Sequence, residues 1–191
     1  LEVYSNRIFW LSKDPQIKYV LVFKNHGRNA GTSLIHSHTQ VISLGEVPLT
    51  VQQKYKAANA IGKCPYCTII EKESRSERRC FENDDFIAFT PYASRFNYEI
   101  WIFPKKHIKN MLEFTENEYF NLAEIFEKVL RKIKSLGADY NFFIHYSPKS
   151  ENLHMHLEVT PRTAIWGGFE LASGIIINSV SPEEAAKYYR S

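Results

Sequence analysis

The chain has 191 residues, which is enough for one domain of ordinary size or for two small ones. Hydrophobic residues make up 44% and charged residues 24%, as in an ordinary globular protein, and the net charge of +3 suits phosphate ligands without demanding nucleic acid. No run of 18 apolar residues occurs, so the sequence predicts no membrane span. Three cysteines that include one C-x-x-C pair argue against a disulfide framework and favour a cytoplasmic protein with a metal site.

Local patterns along the chain predict a mixture of strands and helices. Short apolar or alternating runs predict strands over 19–23, 35–44, 86–89, 98–103, 141–146 and 154–160. Helices are predicted at 1–12, 64–72, 115–136 and 181–189, and Thr115 and Ser181 are suited to cap the last two. Residues 24–34 have the Gly, Asn and Ser content of a loop, and 45–62 read as a connector with some helical character.

Two short segments repeat the pattern H-x-H-x-(Q/E)-V on predicted strands. The first runs from His36 to Val41 and the second from His154 to Val159. The alternation of a strand over 35–44 predicts that His36, His38 and Gln40 share one face. Gln40 is neutral, whereas its counterpart Glu158 is a carboxylate that would repel a phosphate. We therefore expect catalysis in the first copy and a structural role for the second.

The segment before the first H-x-H pattern has the composition of a phosphate-binding loop. Glycines allow backbone N–H groups to approach phosphate oxygens, and Ser33 and Gln40 are neutral hydrogen-bond donors. An imidazole such as that of His38 can attack phosphorus near neutral pH, and the donors would hold the developing charge. An isolated H-x-H more often holds packed or metal-bound histidines, and it is the surrounding sequence that favours catalysis here.

Cys64 and Cys67 have the spacing at which one knuckle offers two thiolates to a tetrahedral ion, and thiolate ligands favour zinc. Two further ligands would complete a closed, structural site. The pair could otherwise be two buried thiols or a redox pair.

Residues 23–40, FKNHGRNAGTSLIHSHTQ, resemble the active-site segment of the galactose-1-phosphate uridylyltransferase family, which belongs to the histidine-triad superfamily. That segment carries F-x-N-x-G, then a glycine and a serine, then H-x-H-x-Q at this spacing. The resemblance continues at Pro104–His107, His154–His156, Gly168–Glu170 and Pro182–Ala186. It implies an α+β fold of the histidine-triad kind, with duplicated antiparallel sheet halves flanked by helices. Residues 1–60 would end a first half whose upstream part is missing, and 61–191 would form the second half.

The same resemblance implies a role for each matching residue. His38 resembles the nucleophile, and Gln40 and Ser33 resemble the pair that holds the phosphate. Near the nucleotide phosphates the matching residues are Asn25 and Gly31. Phe169 and Glu170 resemble residues that contact the hexose phosphate across a dimer interface. The zinc ligands implied are Cys64, Cys67, His107 and His154, with His36 as a ligand of a second zinc whose other ligands lie upstream.

The implied reaction is a ping-pong uridylyl transfer from UDP-glucose to galactose 1-phosphate in a homodimer, with no nucleic-acid or membrane partner. Some family members carry an iron site with a glutamate where this chain has Lys54, which cannot ligate a cation. The chain offers Cys64 and Cys67 instead, which fits the branch with a second zinc. That branch includes plant-type ADP-glucose phosphorylases, and such a phosphorylase is the first alternative. A histidine-triad hydrolase is disfavoured by Gln40, and a non-catalytic zinc module that binds nucleic acid is disfavoured by the mixed charge.

Overall fold

A single antiparallel sheet of seven strands forms the centre of the protein within residues 1–34 and 36–191, which the computed structural model describes. The strands lie side by side in the order β2-β1-β6-β7-β5-β4-β3. Their bounds are β1 Tyr19–His26, β2 Gln40–Leu44, β3 Arg79–Glu82, β4 Phe86–Phe89, β5 Ile100–Pro104, β6 Tyr140–His145 and β7 His156–Pro161. Together with the flanking helices, this sheet confirms the α+β class. The sheet is continuous across the proposed boundary at residue 60, and the division into 1–60 and 61–191 stays a prediction.

Helices cover the sheet and close its ends. Their bounds are α1 Glu2–Leu11, α2 Leu49–Asn59, α3 Pro65–Glu73, α4 Glu116–Ser135, α5 Gly168–Ser173 and α6 Pro182–Arg190. Helix α4 begins as predicted, because the Thr115 hydroxyl accepts from the Glu118 N–H while the Glu118 carboxylate accepts from the Thr115 N–H. Among the helices of the described residues, none is long and apolar enough to cross a membrane.

The interior of the sheet explains where the polar site residues lie. Every residue of β4 and of β7 is buried, and the apolar face of α4 packs on this layer through Leu122, Ile125, Val129 and Ile133. Because β7 is a central strand, its histidine and its glutamate are buried with it, and each needs a polar partner.

The predicted strand over 35–44 is wrong for residues 36–39. Strand β2 begins only at Gln40, and its last partner on β1 is Phe23. Before that point the backbone leaves the ladder, and the His36 carbonyl accepts from the His38 ring instead of from a partner strand. Ile35 lies outside the described residues. The shared face predicted for the three polar residues of this segment therefore does not follow from a strand.

Several other boundaries differ from the sequence prediction for reasons visible in the pairing. Strand β1 continues beyond Phe23 to His26 because its second edge pairs with β6. Tyr98 has a φ of 60°, so β5 begins after it, at Ile100. The connector at 45–62 contains the regular helix α2, and two short elements, β3 and α5, were not predicted.

Candidate active site and metal centre

The glycine-rich segment folds into a tight loop that is fastened to the start of β6. Gly27 has a φ of 86° and Gly31 a φ of 80°, and a single 3-10 turn, Arg28–Ala30, lies between them. The carboxylate of Asp139 accepts the N–H of Asn29 at 2.8 Å. A Cβ atom at Gly27 would overlap this carboxylate, whereas one at Gly31 would have nothing within 4 Å. Gly27 is therefore required both by its backbone and by its neighbour.

Asn141 orients the predicted substrate residue Asn25. The two residues face each other across β1 and β6, and the Asn141 side-chain amide donates to the Asn25 amide oxygen at 2.8 Å and to the Ala30 carbonyl at 2.8 Å. With its oxygen engaged, Asn25 directs its amide NH₂ elsewhere, and among the described residues nothing accepts from it, so it can donate to a ligand. Asn141 was not predicted, because only the pairing of β1 with β6 reveals its position.

A cavity of about 240 Å³ lies inside the loop and has the size of a phosphate subsite rather than of a whole nucleotide site. Its lining joins the predicted residues Asn25 and Ser33, together with His26, Gly27, Arg28, Thr32, Leu34 and Ser37. The Lys24 ammonium donates to the Ser37 hydroxyl, and burial lowers the pKa of Lys24. Cations and neutral donors therefore surround or adjoin this cavity, as an anionic ligand requires.

His38 is held by a hydrogen bond that defines its tautomer. Its Nδ1 lies 2.7 Å from the carbonyl oxygen of His36, and a carbonyl can only accept, so Nδ1 carries the proton. The other ring nitrogen, Nε2, then holds a free lone pair. The second copy of the pattern repeats this bond, with His156 Nδ1 2.9 Å from the His154 carbonyl oxygen. The sequence echo is thus also an echo in side-chain geometry.

The other predicted site residues, Gln40, His36, Phe169 and Glu170, do not line the loop cavity. Gln40 begins β2 two residues after His38, and His36 is exposed and belongs to neither candidate metal group of the described residues. Phe169 is exposed on α5, and the Glu170 carboxylate accepts the Gly167 N–H at 2.9 Å. The structure therefore gives Glu170 a helix-capping contact, and neither α5 residue lines the loop cavity.

The four residues predicted to bind zinc converge at the start of α3. One ligand atom from each of Cys64, Cys67, His107 and His154 lies within 4.8 Å of all the others. The Cys67 sulfur is 3.4 Å from Nδ1 of His107 and 3.5 Å from Nδ1 of His154, and the Cys64 sulfur is 3.9 Å from the latter. Ligands at zinc bond lengths on a tetrahedron lie about 3.3–3.8 Å apart, so the donor set fits this ion.

Hydrogen bonds at the outer ring nitrogens of both histidines orient the inner ring nitrogens toward the centre of the group. Nε2 of His107 lies 2.9 Å from the Asn152 amide oxygen, and Nε2 of His154 lies 2.9 Å from the Pro104 carbonyl oxygen. Each Nε2–H therefore donates outward and each Nδ1 points its lone pair inward. Burial lowers the pKa of His154 to about 4, which keeps its ring neutral and able to ligate. Burial, followed by the Cys64 charge, raises the pKa of Cys67 to about 11, and a bound cation would reverse that effect.

Comparison with known proteins agrees with this arrangement. Residues 63–166 match the family described as "Scavenger mRNA decapping enzyme C-term binding". An ADP-glucose phosphorylase from Arabidopsis thaliana is 33% identical over the whole chain, which covers 56% of that relative. A galactose-1-phosphate uridylyltransferase from Thermotoga maritima is 30% identical over the whole chain, which covers 65% of that relative. A crystal structure of the Arabidopsis thaliana phosphorylase with bound ADP-glucose has a TM-score of 0.89 at 33% identity, with 99% of this chain and 64% of that chain covered.

The antiparallel sheet, the repeated H-x-H pattern and the family match together define a protein of the histidine-triad class. Within that superfamily, the chain belongs to the galactose-1-phosphate uridylyltransferase family. It spans between about half and two thirds of the length of these curated relatives.

Proposed function

We propose that the protein is a nucleotidyltransferase in which His38 becomes covalently nucleotidylated. The observation that carries this proposal is the hydrogen bond from His38 Nδ1 to the His36 carbonyl, because it leaves Nε2 as a free nucleophile beside the loop. A histidine locked in this tautomer needs no separate base to remove a proton before it attacks.

The proposed reaction has two displacement steps at one phosphorus. In the first, His38 Nε2 attacks the α-phosphorus of UDP-glucose, a P–N bond forms, and the P–O bond to glucose 1-phosphate breaks. In the second, a phosphate oxygen of galactose 1-phosphate attacks the same phosphorus, the P–N bond breaks, and UDP-galactose leaves. Each step exchanges one bond to phosphorus, and the imidazole returns to its starting form.

The loop would stabilise the charge on the transferred phosphoryl group. Ser33 and Gln40 supply neutral donors, and Asn25 has a free amide because Asn141 holds its oxygen. Gly31 lets a backbone N–H approach the phosphate closely. Lys24 and Arg28, which adjoin or line the cavity, add the positive charge that attracts a diphosphate.

We further propose that Cys64, Cys67, His107 and His154 hold a structural zinc ion. The donor distances and the two outward hydrogen bonds support this assignment. When bound, the ion would join the start of α3 to the segment before β7. His36 would be a ligand of a second zinc, with its other ligands outside this chain.

An ADP-glucose phosphorylase is the second candidate, and the identity values favour it at least as strongly. The phosphorylase from Arabidopsis thaliana is 33% identical, against 30% for the uridylyltransferase from Thermotoga maritima. Here His38 would take an adenylyl group from ADP-glucose as glucose 1-phosphate leaves, and inorganic phosphate would then attack the same phosphorus, break the P–N bond and give ADP. The same nucleophile serves both reactions.

We also propose that the protein is a cytoplasmic homodimer. The segment 165–177 exposes apolar side chains whose burial would favour association with a second copy: Ile165, Phe169, Leu171, Ile175 and Ile177. Phe169 and Glu170 on this segment would then contact the hexose phosphate of the partner's site.

Intact-mass spectrometry after incubation with UDP-glucose or ADP-glucose tests the proposal. We expect one acid-labile nucleotidyl group on the wild type, removed by galactose 1-phosphate or by inorganic phosphate, and none on His38→Ala. Circular dichroism of the variant would show that it remains folded. The nucleotide that labels the protein decides between the two candidates, and a His38→Ala variant that is still labelled would refute the assigned nucleophile.

A further inference from the structure

A second group of possible metal ligands lies on β6 and β7, and a lysine fills it. His145, His156 and Glu158 each offer one ligand atom within 4.8 Å of the others, and the Lys54 ammonium from α2 contacts all three. We call these four residues the lysine cluster. All three acceptor side chains are buried, and the Lys54 side chain is 18% exposed.

The ammonium is matched to its acceptors in number and direction. Lys54 Nζ lies 2.8 Å from His145 Nδ1 and 3.0 Å from His156 Nε2, and it also donates to a Glu158 carboxylate oxygen. An ammonium has three protons, so each is used once. His156 can accept at Nε2 because its Nδ1–H is already committed to the His154 carbonyl.

The charges of the surroundings show that the cluster is built around one cation. Arg95 bridges Glu158 and Glu99, and Glu99 also accepts from the Trp101 indole at 2.8 Å. Two cations thus balance two buried carboxylates. Without the ammonium, one negative charge and two imidazole lone pairs would remain in the interior with no donor between them.

The same three acceptors have the chemistry and spacing of a metal site. The Glu158 oxygen lies 3.5 Å from His145 Nδ1 and 3.2 Å from His156 Nε2. Ligands on one face of a small divalent ion at about 2.0–2.2 Å lie about 3.3–3.5 Å apart, which agrees with these values. Two imidazoles and one carboxylate suit a divalent transition metal and leave positions open for water.

We infer that the Lys54 ammonium takes the place of a divalent cation in the lysine cluster, and that shortening this side chain turns the cluster into a metal site. The wild type would keep α2 fastened to the central strands without an ion here. Lys54 alone would then exclude an ion from this cluster, because the side chains that the strands supply could bind one.

Cobalt binding to Lys54→Ala tests this inference. Metal-stripped protein is equilibrated with Co²⁺ and desalted, and bound cobalt is counted by elemental analysis. We expect Lys54→Ala to hold one more ion per chain than the wild type, whatever number the wild type holds at its cysteine site. The extra ion would absorb in the visible region without a thiolate charge-transfer band, because this cluster contains no sulfur.

Matched variants make the count specific. Lys56→Ala removes an exposed lysine from the same helix and should bind as the wild type does. Lys54→Met fills the space with an uncharged chain and should gain no ion. His145→Gln placed on Lys54→Ala should lose the extra ion and retain the others.

Each possible result either supports or overturns the inference. A folded Lys54→Ala with an unchanged count, or a wild type that already holds an ion in this cluster, would overturn the inference. If Lys54→Ala unfolds without metal, Co²⁺ should restore its circular dichroism and raise its melting temperature, as expected for a ligand of the native state. Failure of that rescue would also overturn the inference.

Discussion

Replacement of Gly27 by alanine should destabilise the protein in two ways: through overlap of the new Cβ with Asp139 and through an unfavourable backbone conformation. The added Cβ would lie 2.7 Å from one oxygen of Asp139 and would overlap the rest of that carboxylate. The φ of 86° together with the ψ of 163° lies in a region that is essentially restricted to glycine, which adds about 1–3 kcal/mol for a residue with a Cβ. Displacing the carboxylate also breaks its bond to the Asn29 N–H, which is worth about 1–3 kcal/mol. We therefore expect Gly27→Ala to lower the free energy of unfolding by about 2–6 kcal/mol.

Gly31→Ala is the control for a positive φ without the overlap, because Gly31 has a left-handed backbone, with a φ of 80° and a ψ of 22°, and its Cβ would meet nothing within 4 Å among the described residues. It should lose only the conformational part, about 1–2 kcal/mol. Both substitutions restrict the unfolded chain equally, so that effect cancels in the comparison. Urea unfolding followed by circular dichroism measures both values, and intact-mass time courses should show nucleotidyl transfer slowed about 10–100-fold in Gly27→Ala.

A double-mutant cycle with Asp139→Ala tests the cause. In that background the carboxylate is gone, so Gly27→Ala should cost only the conformational part, about 1–3 kcal/mol. Equal losses for the two glycine variants, or a Gly27→Ala loss that is unchanged in the Asp139→Ala background, would refute the proposed overlap.

Three further predictions concern the metal group and the loop. Cys67→Ala should lose one zinc per chain by elemental analysis, whereas Cys80→Ala, which removes a buried thiol outside the group, should retain it. Asn152→Ala removes the acceptor for a ligand histidine, and competition with a chelator should show zinc affinity reduced about 10–100-fold; unchanged affinity would contradict the outward hydrogen bond. Asn141→Leu leaves two oxygens without their donor, so unfolding in urea should show a loss of about 1–3 kcal/mol, and nucleotidyl transfer should slow as well; a variant with normal transfer would contradict its positioning role.

The predictions that agree with the structure concern residues that are close to one another in the sequence. Cys64 and Cys67 form a knuckle whose geometry is fixed by the two residues between them, and the two H-x-H patterns set their ring bonds within three residues. Helix α4 was predicted from its period and its cap. The choice of His107 and His154 as ligands needed the family resemblance, since they are 47 residues apart and no local pattern joins them.

The parts that the sequence could not predict depend on which strands are neighbours. Lys54 contacts His145 and His156 because α2 lies beside β6 and β7. The two histidines are neighbours because they are paired in register across these strands. Asn141 is assigned to the loop only once β6 is known to pair with β1. The strand predicted from residue 35 failed because alternation alone does not show where a partner strand ends.

The bonds that shape the glycine-rich loop also set the order in which the protein can fold. Asn29 is bonded to a residue 110 positions later, and Asn25 to one 116 positions later. Contacts of such sequence separation form slowly, because a long loop must first be closed. During synthesis the segment that carries His38 is made before β6, yet the loop that precedes it cannot take its final shape until β6 has been made and has paired with β1. The loop beside the proposed nucleophile therefore depends on a strand that is made after it, and we expect it to be among the last parts of the sheet region to reach its final shape.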